Sequence, residues 1–303
     1  MKSKSNLLAY VLLIGAVALW GGNWVAARYI VQAMSPLAGA TIRMVLSAII
    51  LVIVLKMTTG KLLSAKGIFT FIFLGLMLFG FNILQYTGLT YTTAINGSLI
   101  NAATPMIIII LSRFIIKEKL SVIQILGVVI SFLGVGWVIT KGSWALITTL
   151  TFNIGDILMF LAATCWALYT IYSKNPTVQS SALYVTTYAS LIATVYFLPF
   201  GIVQYQAHPL ETVSWGLVVA IIYVICVAVF GLVFWGKGVS IIGPSRASVF
   251  MNFMPIFTLI FAFLLLNETV TPYQLLGGIF VIAGVYLTSN ARFSVKSGNK
   301  NFR

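Results

Sequence analysis

The chain has 303 residues, of which 60% are hydrophobic and only 7% are charged. A soluble domain is about 45–50% apolar and about 25% charged, so these few charges cannot cover a water-facing surface. The composition excludes a disordered chain, a disulfide-stabilised scaffold and a cytosolic enzyme, and it indicates an integral membrane protein. The net charge of +14 favours basic loops beside an anionic leaflet over a nucleic-acid-binding face, which requires a soluble basic surface. We therefore expect the lipid bilayer, and no nucleic acid, as a partner.

Ten apolar runs along the chain are each long enough to cross a bilayer, which takes about 20 residues of helix. Their approximate limits are 7–27, 36–56, 67–87, 95–115, 121–140, 155–173, 181–201, 214–235, 245–266 and 273–290. The first run is longer than the apolar part of a signal peptide and lacks a convincing A-x-A cleavage site, so we expect it to be retained. The predicted fold is an all-α polytopic membrane protein with ten transmembrane helices.

Basic residues test this count, because they concentrate in cytoplasmic loops. With ten spans both termini lie on one side of the membrane, and fifteen of the 18 Lys and Arg residues fall on that side. Only Arg28 and Lys141 fall on the other side, and Arg43 lies within a span. The asymmetry predicts a multi-pass protein of the cell (cytoplasmic) membrane with both termini in the cytoplasm.

The two halves of the chain match each other at an offset of 150 residues. Each half contains a P-x12-E-x5-Q-x-L-G pattern, which starts at Pro105 in the first half and at Pro255 in the second. Because each half holds five spans, an odd number, the second half enters the membrane from the opposite face. We predict two inverted five-helix repeats, 1–146 and 147–303, with a short basic tail on the second. Inverted repeats are typical of secondary transporters; the alternative is a duplication retained only for folding.

Several short motifs follow one another in order along these halves. They are Trp20-Gly21-Gly22-Asn23, Pro36 with Arg43, Gly155-Asp156, Cys165-Trp166-Ala167-Leu168-Tyr169, and the two proline-to-glycine patterns. In order, inversion and spacing, over nearly the whole chain, they resemble the drug/metabolite transporter superfamily, specifically its ten-helix EamA-type permeases. The resemblance implies export of small metabolites, amino acids or drugs, and it does not fix one substrate.

Polar and aromatic side chains inside the spans mark a candidate substrate site, since such residues usually face a bundle interior or a wet cavity. Helical spacing groups them on shared faces. The candidates are Trp20, Asn23, Asn82, Gln85, Tyr86, Ser98, Asn101, Trp166, Tyr169, Trp235, Ser248 and Asn252. Amides and hydroxyls would orient polar substrate groups, and rings would cover an apolar part. The alternatives are hydrogen bonding between helices for Asn and Ser and an interfacial belt for Trp235.

Two prolines and one arginine interrupt the apolar spans. Pro105 and Pro255 each remove a backbone hydrogen bond inside a predicted helix, which could permit bending, free carbonyls for a site or produce a static kink. Arg43 lies about 10 Å inside its span at 1.5 Å per residue. It could hold a substrate carboxylate through paired donors, or it could snorkel or bond to backbone carbonyls.

Two glycine pairs with heptad spacing, one on span 5 and one on span 10, predict close backbone approach at a helix interface. They are Gly127 with Gly134 and Gly277 with Gly284.

The sequence also lacks the groups that several activities need. No acid lies near the centre of a predicted span, so proton antiport and an obligate multivalent-cation substrate are unsupported, and neutral or zwitterionic metabolites are favoured. The Gly231-x4-Gly236-Lys237 stretch lacks the Ser or Thr of a P-loop and follows a membrane span, so ATP-driven transport is unsupported. No catalytic or metal-binding constellation is present, and we expect neither a cofactor nor enzymatic activity. A membrane enzyme acting on lipid-linked substrates and a channel stay open as alternatives, and one ten-helix unit could work as a monomer.

Overall fold

A computed structural model describes residues 2–59, 67–115, 121–143, 153–173, 182–207, 213–231, 234–235, 237–238, 241 and 249–290. Regular structure in these ranges is entirely helical. The α-helices are α1 (Lys2–Ala33), α2 (Pro36–Thr59), α3 (Ile68–Gly88), α4 (Ala94–Asn101), α5 (Thr104–Ile115), α6 (Val122–Ile139), α7 (Ile154–Tyr172), α8 (Ala182–Ala207), α9 (Trp215–Cys226), α10 (Met254–Leu266) and α11 (Pro272–Asn290).

These helices form the ten predicted spans, because α4 and α5 together make one interrupted span. In the described part of the chain, seven apolar segments reach the length needed to cross a membrane, and three shorter ones are Trp215–Gly231, Met254–Leu266 and Pro272–Leu287. A π-helical turn, Val227–Gly231, extends α9, and a 3-10 turn, Val249–Phe253, leads into α10. The prediction of an all-α, ten-span fold is confirmed.

The two repeat prolines do not lie inside continuous helices, which corrects the expectation from the sequence. Pro105 is the second residue of α5, just after the break that follows Asn101, and Pro255 is the second residue of α10, just after the 3-10 turn. Proline is tolerated in the first helical turn, because its missing N–H needs no partner there. Each proline therefore starts a helical segment, at equivalent places in the two repeats.

Contact between α6 and α11 demonstrates that the repeats are inverted. A Cβ atom placed on Gly134 would lie 2.6 Å from the carbonyl oxygen of Gly277, and one placed on Gly284 would collide with the carbonyl of Gly127. The second glycine of α6 thus meets the first glycine of α11, and the first glycine of α6 meets the second of α11. These equivalent helices therefore cross antiparallel. The predicted glycine pairs form this crossing, and the inverted arrangement is confirmed.

The remaining contacts interleave the two repeats. Helix α1 packs against α10, where Gly21 approaches the backbone of Met254 and Thr258. Helix α7 packs against α3, where a Cβ atom placed on Gly88 would lie 3.0 Å from the carbonyl oxygen of Gly155, and one placed on Gly155 would lie 2.7 Å from that of Gly88. Each repeat's first helix is therefore packed against helices of the other repeat.

Chain direction gives the bundle two ends, which we name by a residue at each. The Glu268 end carries residues 34–35, 89–93 and 267–271, and the Lys56 end carries the opposite helix termini, around residues 56–59, 115 and 121.

Substituting Gly134→Leu is expected to destabilise the protein, because the new side chain would displace the backbone of α11. Overpacking typically costs about 1–3 kcal/mol. The matched control is Gly136→Leu two residues away, where an added Cβ meets no atom within 4 Å. Thermal unfolding in detergent micelles measures both. Equal melting temperatures for the two variants would contradict the close crossing of α6 and α11.

Candidate functional site

Four of the predicted residues lie on the neighbouring helices α2 and α3, and a hydrogen bond joins two of them. Asn82, Gln85 and Tyr86 occupy one turn of α3, and each is at most 1% exposed. The Nη1 group of Arg43 on α2 donates a hydrogen bond to Oδ1 of Asn82. The amide nitrogen of Asn82 in turn donates to the carbonyl of Leu78 at 2.7 Å. We call Arg43, Asn82, Gln85 and Tyr86 the α2–α3 polar cluster.

Several polar atoms of this cluster are buried without a hydrogen-bond partner among the described residues. They are the Nε of Arg43, both amide atoms of Gln85 and the hydroxyl of Tyr86. A buried polar atom left unpaired costs about 1–3 kcal/mol, and native proteins retain few of them. Three of these four atoms lie on one turn of α3, which makes this turn a candidate functional site.

Two further candidates meet between α1 and the segment after α9. The rings of Trp20 and Trp235 have centroids 5.2 Å apart, and the indole Nε1 of Trp20 lies against Gly231, where a Cβ would be 2.6 Å away. Asn23, one turn after Trp20, has a buried Oδ1 with no partner among the described residues. Trp235 therefore pairs with another candidate.

The aromatic candidates of α7 form a similar group in the other repeat. Trp166 and Tyr169 stack at 5.3 Å, and Trp166 also contacts the ring of Phe81 on α3 at 5.0 Å. The Tyr169 hydroxyl lies 3.4 Å from Oγ1 of Thr186 on α8. Sequence reasoning missed Phe81. At the offset of 150 residues Phe81 is equivalent to Gly231, and each of these two residues contacts the tryptophan on the first helix of the other repeat.

The candidates on α4 make local hydrogen bonds. Ser98 is fully buried and donates to the carbonyl of Ile95 at 2.9 Å. Asn101 ends α4, and its Oδ1 accepts a hydrogen bond from Oγ1 of Thr104 at 3.3 Å, across the break before α5. Ser248 lies outside the described residues, and of Asn252 only the backbone, in the 3-10 turn, is described. For all the candidates, a substrate-binding role stays a prediction.

A second polar group, at the Glu268 end, was not predicted. Asp156 is fully buried near the start of α7, where its Oδ1 accepts hydrogen bonds from Oγ1 of Thr92 at 2.5 Å and from the amide of Asn96 at 3.4 Å. Asn96 accepts in turn from Nε2 of Gln274 on α11 at 2.7 Å. These bonds link the first repeat to the second.

Glu268 strengthens the same link. Its carboxylate oxygens accept hydrogen bonds from the backbone N–H groups of Ala94 at 3.0 Å and Ile95 at 3.3 Å. These are two of the unpaired donors at the start of α4, where the helix dipole favours a negative charge. We call Thr92, Asn96, Asp156, Glu268 and Gln274 the Glu268-end network.

The repeat motif contains two members of this network, Glu268 and Gln274, so the duplication could have indicated them. Their first-repeat equivalents are Glu118, which lies outside the described residues, and Gln124. Gln124 forms a capping box with Ser121, and its Nε2 is buried without a partner among the described residues. The position equivalent to Asn96 is Arg246, which also lies outside the described residues.

A multi-pass bundle of inverted repeats with buried polar groups between its helices belongs to the class of membrane transporters. Residues 7–140 and 153–290 each match the model of the EamA-like transporter family. The chain belongs to this family, and its activity is therefore transport rather than catalysis.

Two relatives agree with this assignment, and a solved structure shares the fold. The chain is 33% identical to the uncharacterized transporter YyaM of Bacillus subtilis over 288 residues, which cover 94% of each protein. It is 28% identical to an uncharacterized transporter of Archaeoglobus fulgidus, with 95% of this chain and 98% of that protein covered. A crystal structure with 13% identity matches 95% of this chain and 98% of its own with a TM-score of 0.60, and it shows the fold alone.

Substituting Glu268→Gln is expected to lower stability, because it removes the charge that faces the first turn of α4. Losing a cap or a charge–dipole interaction costs about 0.5–2 kcal/mol. The control is Gln206→Ala, which changes an exposed polar residue at the same end. Thermal unfolding in lipid nanodiscs measures both variants. A melting temperature for Glu268→Gln equal to that of the control would show that the cap is not structural.

Proposed function

We propose that the protein is a secondary transporter that exports small metabolites, such as amino acids or amphiphilic drugs, by alternating access to a central site between its inverted repeats. The observation that carries this proposal is the set of buried, unpartnered polar atoms in the α2–α3 polar cluster and on Asn23. Apolar helices surround these atoms, and polar groups inside a membrane usually face a bundle interior or a wet pathway.

Their depth supports a site inside the bilayer. Arg43 lies seven residues from the start of α2 at Pro36, about 10 Å from the Glu268 end at 1.5 Å per residue. Trp20 lies thirteen residues from the end of α1 at Ala33, about 20 Å from the same end. On α3, Asn82 lies six residues from the end at Gly88, about 9 Å from the Glu268 end, and Gln85 and Tyr86 lie within the last turn. The α2–α3 polar cluster thus occupies the third of the bundle next to the Glu268 end, and the Trp20 pair lies deeper, where rings could cover the apolar part of a substrate.

Bonds between the repeats at the Glu268 end support alternating access. The Glu268-end network joins the repeats through Asp156, Glu268 and Gln274. This arrangement fits a state closed at the Glu268 end. Because the repeats are inverted, exchanging their conformations would close the other end instead. The breaks before Pro105 and Pro255 lie at equivalent places, where the helices could bend.

The orientation in the membrane belongs to the same proposal. Fifteen of the 18 basic residues lie on the side of the two termini, which is the Lys56 end, so this end faces the cytoplasm under the positive-inside rule. The Glu268 end then faces outward. The repeat limits 1–146 and 147–303, the cell membrane as the location, and a monomer as the working unit complete the proposal.

Counterflow in reconstituted vesicles tests the function. Purified protein is reconstituted into liposomes, which are loaded with one unlabelled compound at a time from a panel of amino acids and amphiphilic drugs. Uptake of the same compound in labelled form is then followed with and without a pH gradient. A carrier gives saturable uptake that an internal unlabelled substrate accelerates. Saturable uptake that internal substrate does not accelerate would indicate a protein other than a carrier, and uptake that never saturates would indicate a channel. Uptake equal to that of protein-free liposomes for every compound in the panel would overturn the proposal.

Substituting Gln85→Leu is expected to raise the KM for transport by about 5- to 10-fold, since one or two substrate hydrogen bonds are lost. The melting temperature should stay equal or rise, because the buried amide has no partner to lose among the described residues. Thr194→Val on α8 is the control, as it removes a hydroxyl bonded only within its own helix, to Ser190. A Gln85→Leu variant with an unchanged KM would remove the α2–α3 polar cluster from the site.

A further inference from the structure

We propose that Asp156 is a proton-binding site that controls the Glu268 end: its carboxyl group holds a proton while this end is closed and releases it when the end opens. This inference rests on the alternating access proposed above, and it adds a dependence on the pH at the Glu268 end. Acid would favour the closed end and alkali the open end. Because Asp156 lies in the first turn of α7, no proton relay through the middle of the membrane is required.

The hydrogen bonds that Asp156 accepts all go to one of its oxygens. The side chain is fully buried, and Oδ1 accepts from Oγ1 of Thr92 at 2.5 Å and from Nδ2 of Asn96 at 3.4 Å. The other oxygen, Oδ2, is buried without a partner among the described residues. An ionised carboxylate has acceptor sites on both oxygens, whereas a protonated one carries an O–H group on one of them. The arrangement therefore matches a carbonyl oxygen at Oδ1 and a proton on Oδ2.

The start of α7 does not supply the missing donors. Backbone N–H groups in the first turn of a helix can stabilise a carboxylate, but in α7 they bond to Asn153. The Oδ1 atom of Asn153 accepts from the N–H of Gly155 at 2.7 Å, and its carbonyl accepts from the N–H of Asp156 at 3.1 Å. Burying an ionised carboxylate without such donors is far more costly than burying one unpaired O–H group. The closed arrangement therefore fits a neutral carboxyl group.

Glu268, in the same network, has the opposite surroundings. Its carboxylate accepts hydrogen bonds from two backbone N–H groups, those of Ala94 and Ile95, at a helix start where the dipole favours a negative charge. The two acids of the Glu268-end network therefore differ: donors at a helix terminus hold Glu268, whereas Asp156 has one oxygen without any donor among the described residues.

Other ionisable groups near Asp156 do not replace a buried counter-charge. The helices that pack against α7 are α3, α4 and α5. Their ionisable residues, with those of α7 itself, are Tyr86 and Tyr91 on α3 and the loop after it, Arg113 on α5 near the Lys56 end, and Cys165, Tyr169 and Tyr172 on α7; α4 has none. The positive charge of Lys141, in the turn after α6, reaches Asp156. Lys141 is exposed, so solvent and salt screen its charge.

The first repeat has no acid at the equivalent position. Trp20 of α1 corresponds to Trp166 of α7, and ten residues before them lie Tyr10 and Asp156. Tyr10 is exposed, whereas Asp156 is fully buried. The inverted repeats are therefore asymmetric at this position, and protonation of Asp156 would favour closure of the Glu268 end over closure of the opposite end.

The proton balance gives the sign of the effect. When the Glu268 end opens, water reaches the carboxyl group of Asp156, the O–H bond breaks, and the proton passes to water on that side and leaves a carboxylate. The closed form thus binds one more proton than the open form. The ratio of open to closed protein should then rise by up to about 10-fold for each unit of increasing pH, until the closed form also loses its proton.

Infrared spectroscopy of the purified protein in nanodiscs tests the protonation state. Asp156 is the only aspartate in the chain, so aspartate labelled with 13C at its side-chain carboxyl group reports on this site. At pH 7 we expect the C=O band of a protonated carboxyl group, which shifts with the label and which Asp156→Asn removes. Unlabelled protein is the control if Asp156→Asn does not fold. Absence of a label-sensitive protonated band at pH 7 would overturn the proposal.

Pulsed electron spin resonance tests the link to opening, with spin labels at exposed Tyr91 and Val213 at the Glu268 end. Between pH 5 and pH 9 the ratio of open to closed protein should rise by at least about 10-fold. Asp156→Asn resembles the neutral acid and should keep the end closed throughout. The control is His208→Gln, which should keep the pH response; His208 lies outside the described residues, and histidine titrates near neutral pH.

Three results of that measurement would overturn the proton-binding site. They are a ratio that does not change with pH, a pH response that persists in Asp156→Asn, and a pH response that His208→Gln abolishes.

Counterflow separates this inference from the proposed function. A protonated Asp156 and a pH-dependent distance, without counterflow of any compound, would overturn transport and leave the proton-binding site. Counterflow in a protein whose Asp156 is ionised at pH 7 would leave transport and overturn the proton-binding site.

Discussion

Helices in a bilayer gain little by burying apolar side chains against each other, since lipid is equally apolar, so they associate where backbones can approach closely. In this protein the antiparallel crossing of α6 and α11 is such a contact, with Gly134 against Gly277 and Gly127 against Gly284. It joins equivalent helices of the two repeats and fixes their inversion. The interleaving of α1 and α7 with the opposite repeat follows from that inversion.

Inversion gives the two repeats corresponding aromatic contacts. The tryptophans of α1 and α7 each meet the third span of the other repeat, Trp20 at Gly231 and Trp166 at Phe81. Beside them, α2 and α3 bring a guanidinium to a helical turn whose amide and hydroxyl are unpaired. Stability alone would favour apolar side chains at these positions, so a ligand is the simplest reason for their presence.

Sequence reasoning captured the features that depend on spacing within one helix. The ten spans, the heptad glycine pairs, and the shared face of Asn82, Gln85 and Tyr86 follow from apolar length or helical period, and the inverted duplication follows from the 150-residue offset between halves with an odd number of spans. Contacts between helices are different, because no periodicity reports them. The bond from Arg43 to Asn82 needed the packing of α2 on α3, and the Glu268-end network was missed because polar residues at span ends resemble solvated ones. The prediction for the two prolines was wrong for a local reason. A continuous apolar run gives no sign of a break in the helix, so Pro105 and Pro255 were expected inside helices that in fact begin one residue before them.

Alternating access between the two ends is the central claim, and pulsed electron spin resonance distances test it most directly. One spin-label pair at exposed Tyr91 and Val213 reports on the Glu268 end, and another at exposed Phe69 and Tyr286 reports on the Lys56 end. On addition of a transported compound, one distance should lengthen while the other shortens. Two distances that stay fixed, or that lengthen together, would contradict a carrier built from inverted repeats.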